Sequence, residues 1–410
     1  MSLNNTPRSN RVHIAFFGRR NAGKSSIINS VTNQELALVS EVLGTTTDPV
    51  YKSMELLPLG PVVMIDTAGL DDDGQLGELR VAKTREVMKK TDIAIVVIDA
   101  TRTQLDLEIE WIDELKRKKI PILGALNKID LLEDVNMVAD ALADQLKIPL
   151  IPVSAVTKKG IHRLKEKMAL LVPEEQDKFC IVGDLIRPGD LVILVTPIDK
   201  AAPKGRLILP QQQTIRDILE SDAIAIVTKE HELRDTFNKL SQKPKLVITD
   251  SQAFLKVAAD TPLDVMMTSF SILFARYKGD LEQMVAGVKA IEKLKDGDKV
   301  LICEACTHHK QSDDIGTVKI PRWIRQKTGK NIQFDHLSGN DFDENLEGYQ
   351  LIIHCGGCML NAQAMKGRLS EAKSKEVNIT NYGVVIAYVH GILDRALEPF
   401  PMAKLIYNRS

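Results

Sequence analysis

The chain has 410 residues, 44% hydrophobic and 27% charged, with a formal net charge of −1. That length exceeds what one hydrophobic core usually serves, so two or three globular domains are expected. Near-neutrality leaves no global basic field to hold nucleic acid or an anionic membrane. The longest apolar runs, Ile93 to Ile98 and Leu191 to Val195, fall far short of the roughly 20 residues of a spanning helix. The opening Met1-Ser2-Leu3-Asn4-Asn5 lacks a signal-peptide apolar core, which predicts a cytoplasmic protein without a membrane partner.

From Val12 to about Val172, short apolar runs alternate with amphipathic ones. Strands are expected at His13 to Phe17, Val62 to Ile65, Ile93 to Ile98, Pro121 to Leu126 and Leu150 to Val153, with helices between them. This is the pattern of an open, mostly parallel sheet covered on both faces. An acidic linker, Val172-Pro173-Glu174-Glu175-Gln176-Asp177, ends it. A second, small α/β unit follows, with strands at Leu191 to Thr196, Arg206 to Leu209, Ala223 to Thr228 and Lys245 to Thr249. Its helices are expected at Thr214 to Glu220, His231 to Leu240 and Gln252 to Ala258, and Thr261-Pro262-Leu263 reads as the next boundary. The third segment opens on one long helical pattern, Ser269 to Leu294, before strands Lys299 to Cys303 and Gln350 to His354. The fold class is therefore α/β throughout, in three domains at 8–172, 173–262 and 263–410.

Gly18-Arg19-Arg20-Asn21-Ala22-Gly23-Lys24-Ser25 matches G-x-x-x-x-G-K-S directly after strand Ile14 to Phe17, the context a phosphate loop requires. Backbone amides around Asn21, Ala22 and Gly23 would wrap the phosphates, Lys24 would neutralise the outer oxygens, and the Ser25 hydroxyl, followed by Ser26, would reach Mg²⁺. Gly44-Thr45-Thr46-Thr47-Asp48 offers Thr46 for Mg²⁺ and the γ-phosphate. Asp66-Thr67-Ala68-Gly69 adds a carboxylate for the Mg²⁺ shell and the Gly69 amide as the γ-phosphate sensor. Asn127-Lys128-Ile129-Asp130 follows its own strand, and the acceptor-only Asp130 carboxylate selects guanine over adenine. Ser154-Ala155 would close over the base. GTP is the expected ligand, with Lys24, Thr46 and Gly69 as the candidate catalytic groups.

This segment resembles the translation-factor-like GTPases of the Era and tRNA-modifying type, whose Gly-Thr-Thr-x-Asp loop it shares. The resemblance implies that Asn21 stands where potassium-activated members of the class coordinate K⁺; a loop-stabilising Asn is the alternative. Leu70 occupies the place of the catalytic Gln of Ras-like enzymes, so slow intrinsic hydrolysis is expected, with K⁺ supplying the charge an arginine finger would otherwise bring.

Cys303 with Cys306 and Cys355 with Cys358 form two C-x-x-C pairs, and spacing alone leaves zinc and a 4Fe-4S cluster both open. Cys180 stands apart and reads as a small buried hydrophobe. Cys306-Thr307-His308 and His354-Cys355-Gly356-Gly357-Cys358 together resemble the C-x-H and H-C-x-x-C signature of the FeFe-hydrogenase maturation GTPases, the HydF family. That family has an N-terminal potassium-type GTPase domain, a middle dimerisation domain and a C-terminal iron-sulfur domain, so the resemblance spans nearly the whole chain.

The resemblance implies Cys306, Cys355 and Cys358 as thiolate ligands of a 4Fe-4S cluster with one exchangeable iron. His308 and His354 enter either as ligands or as hydrogen-bond donors that tune the cluster. Cys303 lies outside the family motif, as a fourth ligand or a packed strand residue. The implied function is a GTPase scaffold, a homodimer that accepts a di-iron precursor from radical-SAM maturases of the HydE and HydG families. It would deliver that cargo to apo-FeFe-hydrogenase, with GTP regulating partner exchange. Two alternatives differ in class: an RNA-associated assembly or tRNA-modifying GTPase with structural zinc, and a redox enzyme with a GTP-gated cluster. Neither C-terminal segment shows the aromatic and basic face that RNA binding would need.

Overall fold

The computed structural model describes residues 7–33, 49–69, 75–172, 180–197, 207–305, 314–339, 342 and 346–409, with the backbone alone at 75–80. The chain forms two compact units, 1–176 and 177–410.

In the first unit the expected strands form as β1 (Val12–Phe17), β3 (Gly60–Asp66), β4 (Ile93–Asp99), β5 (Ile122–Asn127) and β6 (Leu150–Pro152). An unforeseen β2 (Val50–Leu56) precedes β3, and the sheet order is β2-β3-β1-β4-β5-β6. All neighbours pair in parallel except β2 with β3. Successive strand residues face opposite sides of a sheet, and here each side carries its own core. Ile14, Phe16, Ile93, Ile95 and Val97 share one core with α1 (Lys24–Thr32) and α5 (Ile161–Ala169). Ala15, Phe17, Ala94, Val96 and Ile98 lie in the other, against α2 (Gln75–Met88), α3 (Asp106–Arg117) and α4 (Val135–Leu146). Burial on both faces is why these strands read as continuous apolar runs.

The second unit holds two four-stranded sheets. The first, in the order β10-β9-β7-β8, joins β7 (Leu191–Val195), β8 (Ile224–Thr228), β9 (Leu246–Thr249) and β10 (Met266–Ser269), all parallel. α6 (Leu209–Glu220), α7 (Leu233–Lys239) and α8 (Phe254–Asp260) separate these strands. The strand expected over Arg206 to Leu209 does not form within the described residues: Leu209 opens α6 instead. Pro210 in its first turn presets a helical φ, and the Gln211 side chain caps the Ile208 amide at 3.2 Å. β10 carries the middle sheet past the boundary expected at Thr261-Pro262-Leu263.

The single long helix expected over Ser269 to Leu294 is three: α9 (Phe270–Lys278), α10 (Leu281–Val288) and α11 (Ala290–Lys293). Gly279 leaves helical geometry, and the Asp280 carboxylate caps the next helix by accepting from the Gln283 amide at 2.9 Å. The second sheet has the order β12-β11-β13-β14 and is likewise parallel. It is built from β11 (Lys299–Glu304), β12 (Gln333–Ser338), β13 (Tyr349–His354) and β14 (Asn378–Asn381), with α12 (Ile320–Thr328), α13 (Ala362–Ser374) and α14 (Tyr382–Val389) as its covering helices. One continuous core runs through both sheets of this unit, and α9 packs on α6, α13, α14 and β14. Cys180 is half-buried rather than buried: its thiol hydrogen-bonds the Asp184 carboxylate at 3.2 Å and accepts from the Asp184 amide at 3.1 Å.

Candidate functional site

The phosphate loop links β1 to α1. Its backbone turns at Asn21 (φ 60°) and Gly23 (φ 93°), and a Cβ on Gly23 would lie 2.2 Å from Asn127 Nδ2. Only glycine fits there, because φ and space both exclude a side chain. Gly23→Ala is therefore expected to strain the loop by about 1–3 kcal/mol and to weaken GTP binding by calorimetry; unchanged affinity would show that the loop can move aside.

Lys24 is buried, and its ammonium donates to the Gly18 and Arg19 carbonyls at 2.9 Å each. The Ser25 hydroxyl donates to Asp66 Oδ2 at 2.6 Å, joining the start of α1 to the end of β3. Asp66 Oδ1 is buried with no hydrogen-bond partner. Burial pushes the Asp66 carboxyl up, against the Ser25 hydrogen bond and the Lys24 charge, which pull it down. An orphaned carboxylate oxygen beside a serine hydroxyl is a hard-oxygen donor pair, which suits Mg²⁺.

Asn127 fastens the base-binding loops to the phosphate loop. Its Nδ2 donates to the Ala22 carbonyl at 2.9 Å, and its Oδ1 accepts from the Ala155 amide at 3.1 Å. Lys128 pairs with Asp99 at 2.5 Å. Burial works against the Asp99 charge, yet this bond and those from Thr101 hold its carboxyl below the usual range. Ser154 is fully buried and accepts from the Thr157 amide at 3.1 Å; the Ser30 hydroxyl donates to Ser26 and Ala155 carbonyls. Asp130 stays exposed in the turn after β5. The structure thus brings together the candidates from Asn21 to Ser26, with Asp66, Asn127, Lys128, Ser154 and Ala155. Thr46 and Leu70 lie outside the described residues.

The second site sits at the carboxyl ends of β11 and β13, adjacent strands in which Cys303 and His354 are register partners. Ligands commonly bind at this end of parallel sheets. Cys355 follows β13 directly: its amide donates to the Cys303 carbonyl at 2.8 Å, and its sulfur accepts from the Ala305 amide at 3.2 Å. Cys358 lies in the next turn, which Gly357 enters with φ 61°. Burial pushes both thiols up; the Ala305 and Gly357 amides partly offset this at Cys355, and the Lys278 charge at Cys358. Such thiols stay protonated until a soft metal displaces the proton. Among the described residues the donor set therefore fits an iron-sulfur or zinc centre through two thiols; Cys306 and His308 lie outside them.

Cys303 is fully buried within β11. His354 does not present a ligand nitrogen. Arg368 has only donors, so its Nη1 donates to His354 Nε2 at 2.7 Å, which leaves the ring proton on Nδ1 to bond the Cys355 carbonyl at 2.7 Å. Both ring nitrogens of His354 are thus engaged, by the Cys355 carbonyl and by Arg368, and neither bonds a cysteine sulfur among the described residues. Burial, with the Arg368 charge beside it, pushes the imidazole down to about 3, so it is neutral.

Sequence reasoning missed Arg368 and Lys278. Arg368 had a signal: Ala364, Met365, Arg368, Leu369 and Ala372 form the buried face of α13. Lys278 had none, since a lysine in the last turn of a helix ordinarily serves the dipole.

Three family models match the chain. Residues 13–128 match a 50S ribosome-binding GTPase model, 181–279 a hydrogen maturase F dimerization domain, and 282–399 a hydrogen maturase F tetramerization domain. Among curated proteins it is similar to a tRNA modification GTPase MnmE of Natranaerobius thermophilus, 32% identical over 216 residues that cover 52% of this chain and 44% of the relative. It is also similar to GTPase Der of Sulfurimonas denitrificans, 29% identical over 38% of this chain and 33% of the relative. The chain spans about a third to under half of the length of the curated relatives it matches. Among solved structures, Era with MgGDPNP and a 16S ribosomal RNA segment aligns over 53% of this chain and 91% of its own, at 18% identity and TM-score 0.37. A probable GTP-binding protein engB aligns over 40% and 100%, at 25% identity and TM-score 0.33.

Proposed function

The chain belongs to the hydrogen maturase F family, and on that premise we propose that it is a GTP-hydrolysing scaffold that carries a 4Fe-4S cluster. It accepts a di-iron precursor and transfers it to apo-FeFe-hydrogenase. The observation that carries the reading is the end of β13, where Cys355 and Cys358 stand beside a buried ammonium in a chain that also has a GTPase domain. Cys355 and Cys358, with Cys306, would hold the cluster. When bound, the cluster supplies an iron with an exchangeable position at which a di-iron precursor can be anchored.

The protein's own residues do the rest. Arg368 and the Cys355 carbonyl fix His354, which in turn braces the start of the ligand turn. In the nucleotide domain, Lys24 and the loop amides bind phosphate, and Ser25 with Asp66 would hold Mg²⁺, whose charge favours the transition state of phosphoryl transfer. Thr46 and Gly69 sense the γ-phosphate, and Asp130 reads guanine. Self-association through the dimerization and tetramerization segments is part of the family character. The radical-SAM maturases as donors and a cytoplasmic setting belong to this proposal; no helix among the described residues is long and apolar enough to cross a membrane. So does a three-domain division, its second boundary moved past Ser269 because β10 completes the middle sheet.

Asn21 is exposed and makes no side-chain hydrogen bond among the described residues, which favours an outward role as a K⁺ ligand. Hydrolysis is expected to be faster in K⁺ than in Na⁺, and Asn21→Ala to erase most of that difference while leaving nucleotide binding intact. Equal rates of phosphate release in the two salts would remove K⁺ from the account. The scaffold role is tested by mixing the chain, loaded with a di-iron precursor by radical-SAM maturases, with apo-FeFe-hydrogenase. Hydrogen evolution should appear with the loaded chain and stay absent with the chain carrying 4Fe-4S alone.

A further inference from the structure

Lys278 ends α9 with only 2% of its surface exposed. Its ammonium donates to the carbonyls of Leu360 at 2.8 Å, Cys358 at 2.9 Å and Gly357 at 3.4 Å. Three N–H donors meet three acceptors, which is the complement of the charged form. The Phe274 ring lies 5.6 Å away, and no carboxylate pairs with Lys278 among the described residues. A lysine is almost never buried without a counter-ion, because carbonyl dipoles compensate lost hydration only in part. The groups beside this ammonium that can become anionic are the thiols of Cys358 and Cys355, which give up their protons when they bind a soft metal.

We infer that Lys278 is a positioning residue and built-in counter-charge for the cluster proposed at Cys355 and Cys358. Its three hydrogen bonds fix the turn 357–360 that presents Cys358. Its charge favours the reduced cluster, which carries one more electron and no added proton. The role rests on the proposed cluster ligation. Lys278 comes from the segment matched by the dimerization model, whereas both thiols lie in the segment matched by the tetramerization model. The ligand turn is therefore held by the last helix of the preceding segment, and its electrostatics are set from there.

The test uses the full chain, reconstituted anaerobically with iron and sulfide, as wild type, Lys278→Met, Lys278→Gln and Lys278→Arg. Reductive titration with dithionite, followed by electron paramagnetic resonance, reads the midpoint potential. Lys278→Met should shift the one-electron equilibrium toward the oxidised cluster by at least about tenfold, which is about 59 mV more negative. Lys278→Arg, which keeps the charge, should remain close to wild type. If Lys278→Met retains no iron, Lys278→Gln, which keeps N–H donors without the charge, should show the same shift. Iron lost from both uncharged variants and kept by Lys278→Arg would also support the counter-charge. An unchanged potential in the uncharged variants, or iron lost from all three, would overturn it and leave the cluster assignment standing. A wild type with no reducible cluster would instead overturn that assignment, and this inference with it.

Discussion

Cys355→Ser and Cys358→Ser are each expected to cut the iron and sulfide retained after anaerobic reconstitution by at least about tenfold, since a hard hydroxyl replaces the soft thiolate that iron-sulfur chemistry requires. Losing an outer-sphere partner of a metal ligand alone commonly costs 10- to 100-fold in affinity, so a lost ligand should cost no less. Cys306→Ser should behave like them. Cys303→Ser should leave most of the cluster, because Cys303 lies outside the C-x-H and H-C-x-x-C motif and is fully buried in the apolar core within β11. Added imidazole or cyanide should alter the paramagnetic resonance of the reduced wild type, as three thiolates leave one iron exchangeable. Complete iron loss in Cys303→Ser, together with a wild-type spectrum indifferent to added ligands, would point to a closed four-thiolate site. The scaffold would then lack an anchor for its precursor.

Asp130→Asn should exchange guanine for xanthine preference. Asp130 stands in an exposed turn next to Lys128, and Asn127 ties that loop to the phosphate loop through Ala22 and to the base-closing loop through Ala155. The substitution presents a donor where guanine also presents one, leaving groups unmet at about 1–3 kcal/mol, or roughly 5- to 150-fold in GTP affinity. Xanthosine triphosphate, which offers an acceptor there, should gain. Competition calorimetry with both nucleotides reads the exchange, and an unaltered GTP affinity would show that another group reads the base.

Most strands that could be read in the sequence are buried on both faces; the edge strand β8 was legible from its apolar run although Ile224 and Val227 are exposed. Residues such as Ile93 to Ile98 feed two cores at once, so every position is apolar and the run stands out. The missed strands are edge or short ones in which polar residues are satisfied by tertiary partners. β2 is mostly exposed, β12 is an edge, and β14 reads Asn378-Ile379-Thr380-Asn381. Asn381 is nevertheless buried, because Oδ1 caps α14 at the Val384 amide and Nδ2 donates to the Ser271 carbonyl. The cap is a local helix-start signal, but the bond to Ser271, 110 residues away, has no local signature. The long helical pattern from Ser269 misled for a related reason: apolar spacing continues across Gly279 and Asp280, while the chain turns there to set Lys278 against the cysteine turn.

The two sites differ in the same way. Phosphate-loop and base-reading residues are local motifs at strand ends, each legible from a few neighbours. The cysteine turn was legible as ligands, but what orients it was not. His354 is held by Arg368 from α13 and the ligand turn by Lys278 from α9, 14 and 80 residues away from the groups they bond. Buried cations on such long contacts become visible only once helices are packed.

Anaerobic purification of the unmodified full chain, followed by iron, acid-labile sulfide and zinc analysis, tests the central claim most directly. Iron and sulfide should be present in equal amounts, with negligible zinc and a resonance on reduction characteristic of a single 4Fe-4S centre. Zinc held by the cysteines, with no sulfide and no reducible signal after reconstitution, would contradict the scaffold account and leave a GTPase with a structural metal site.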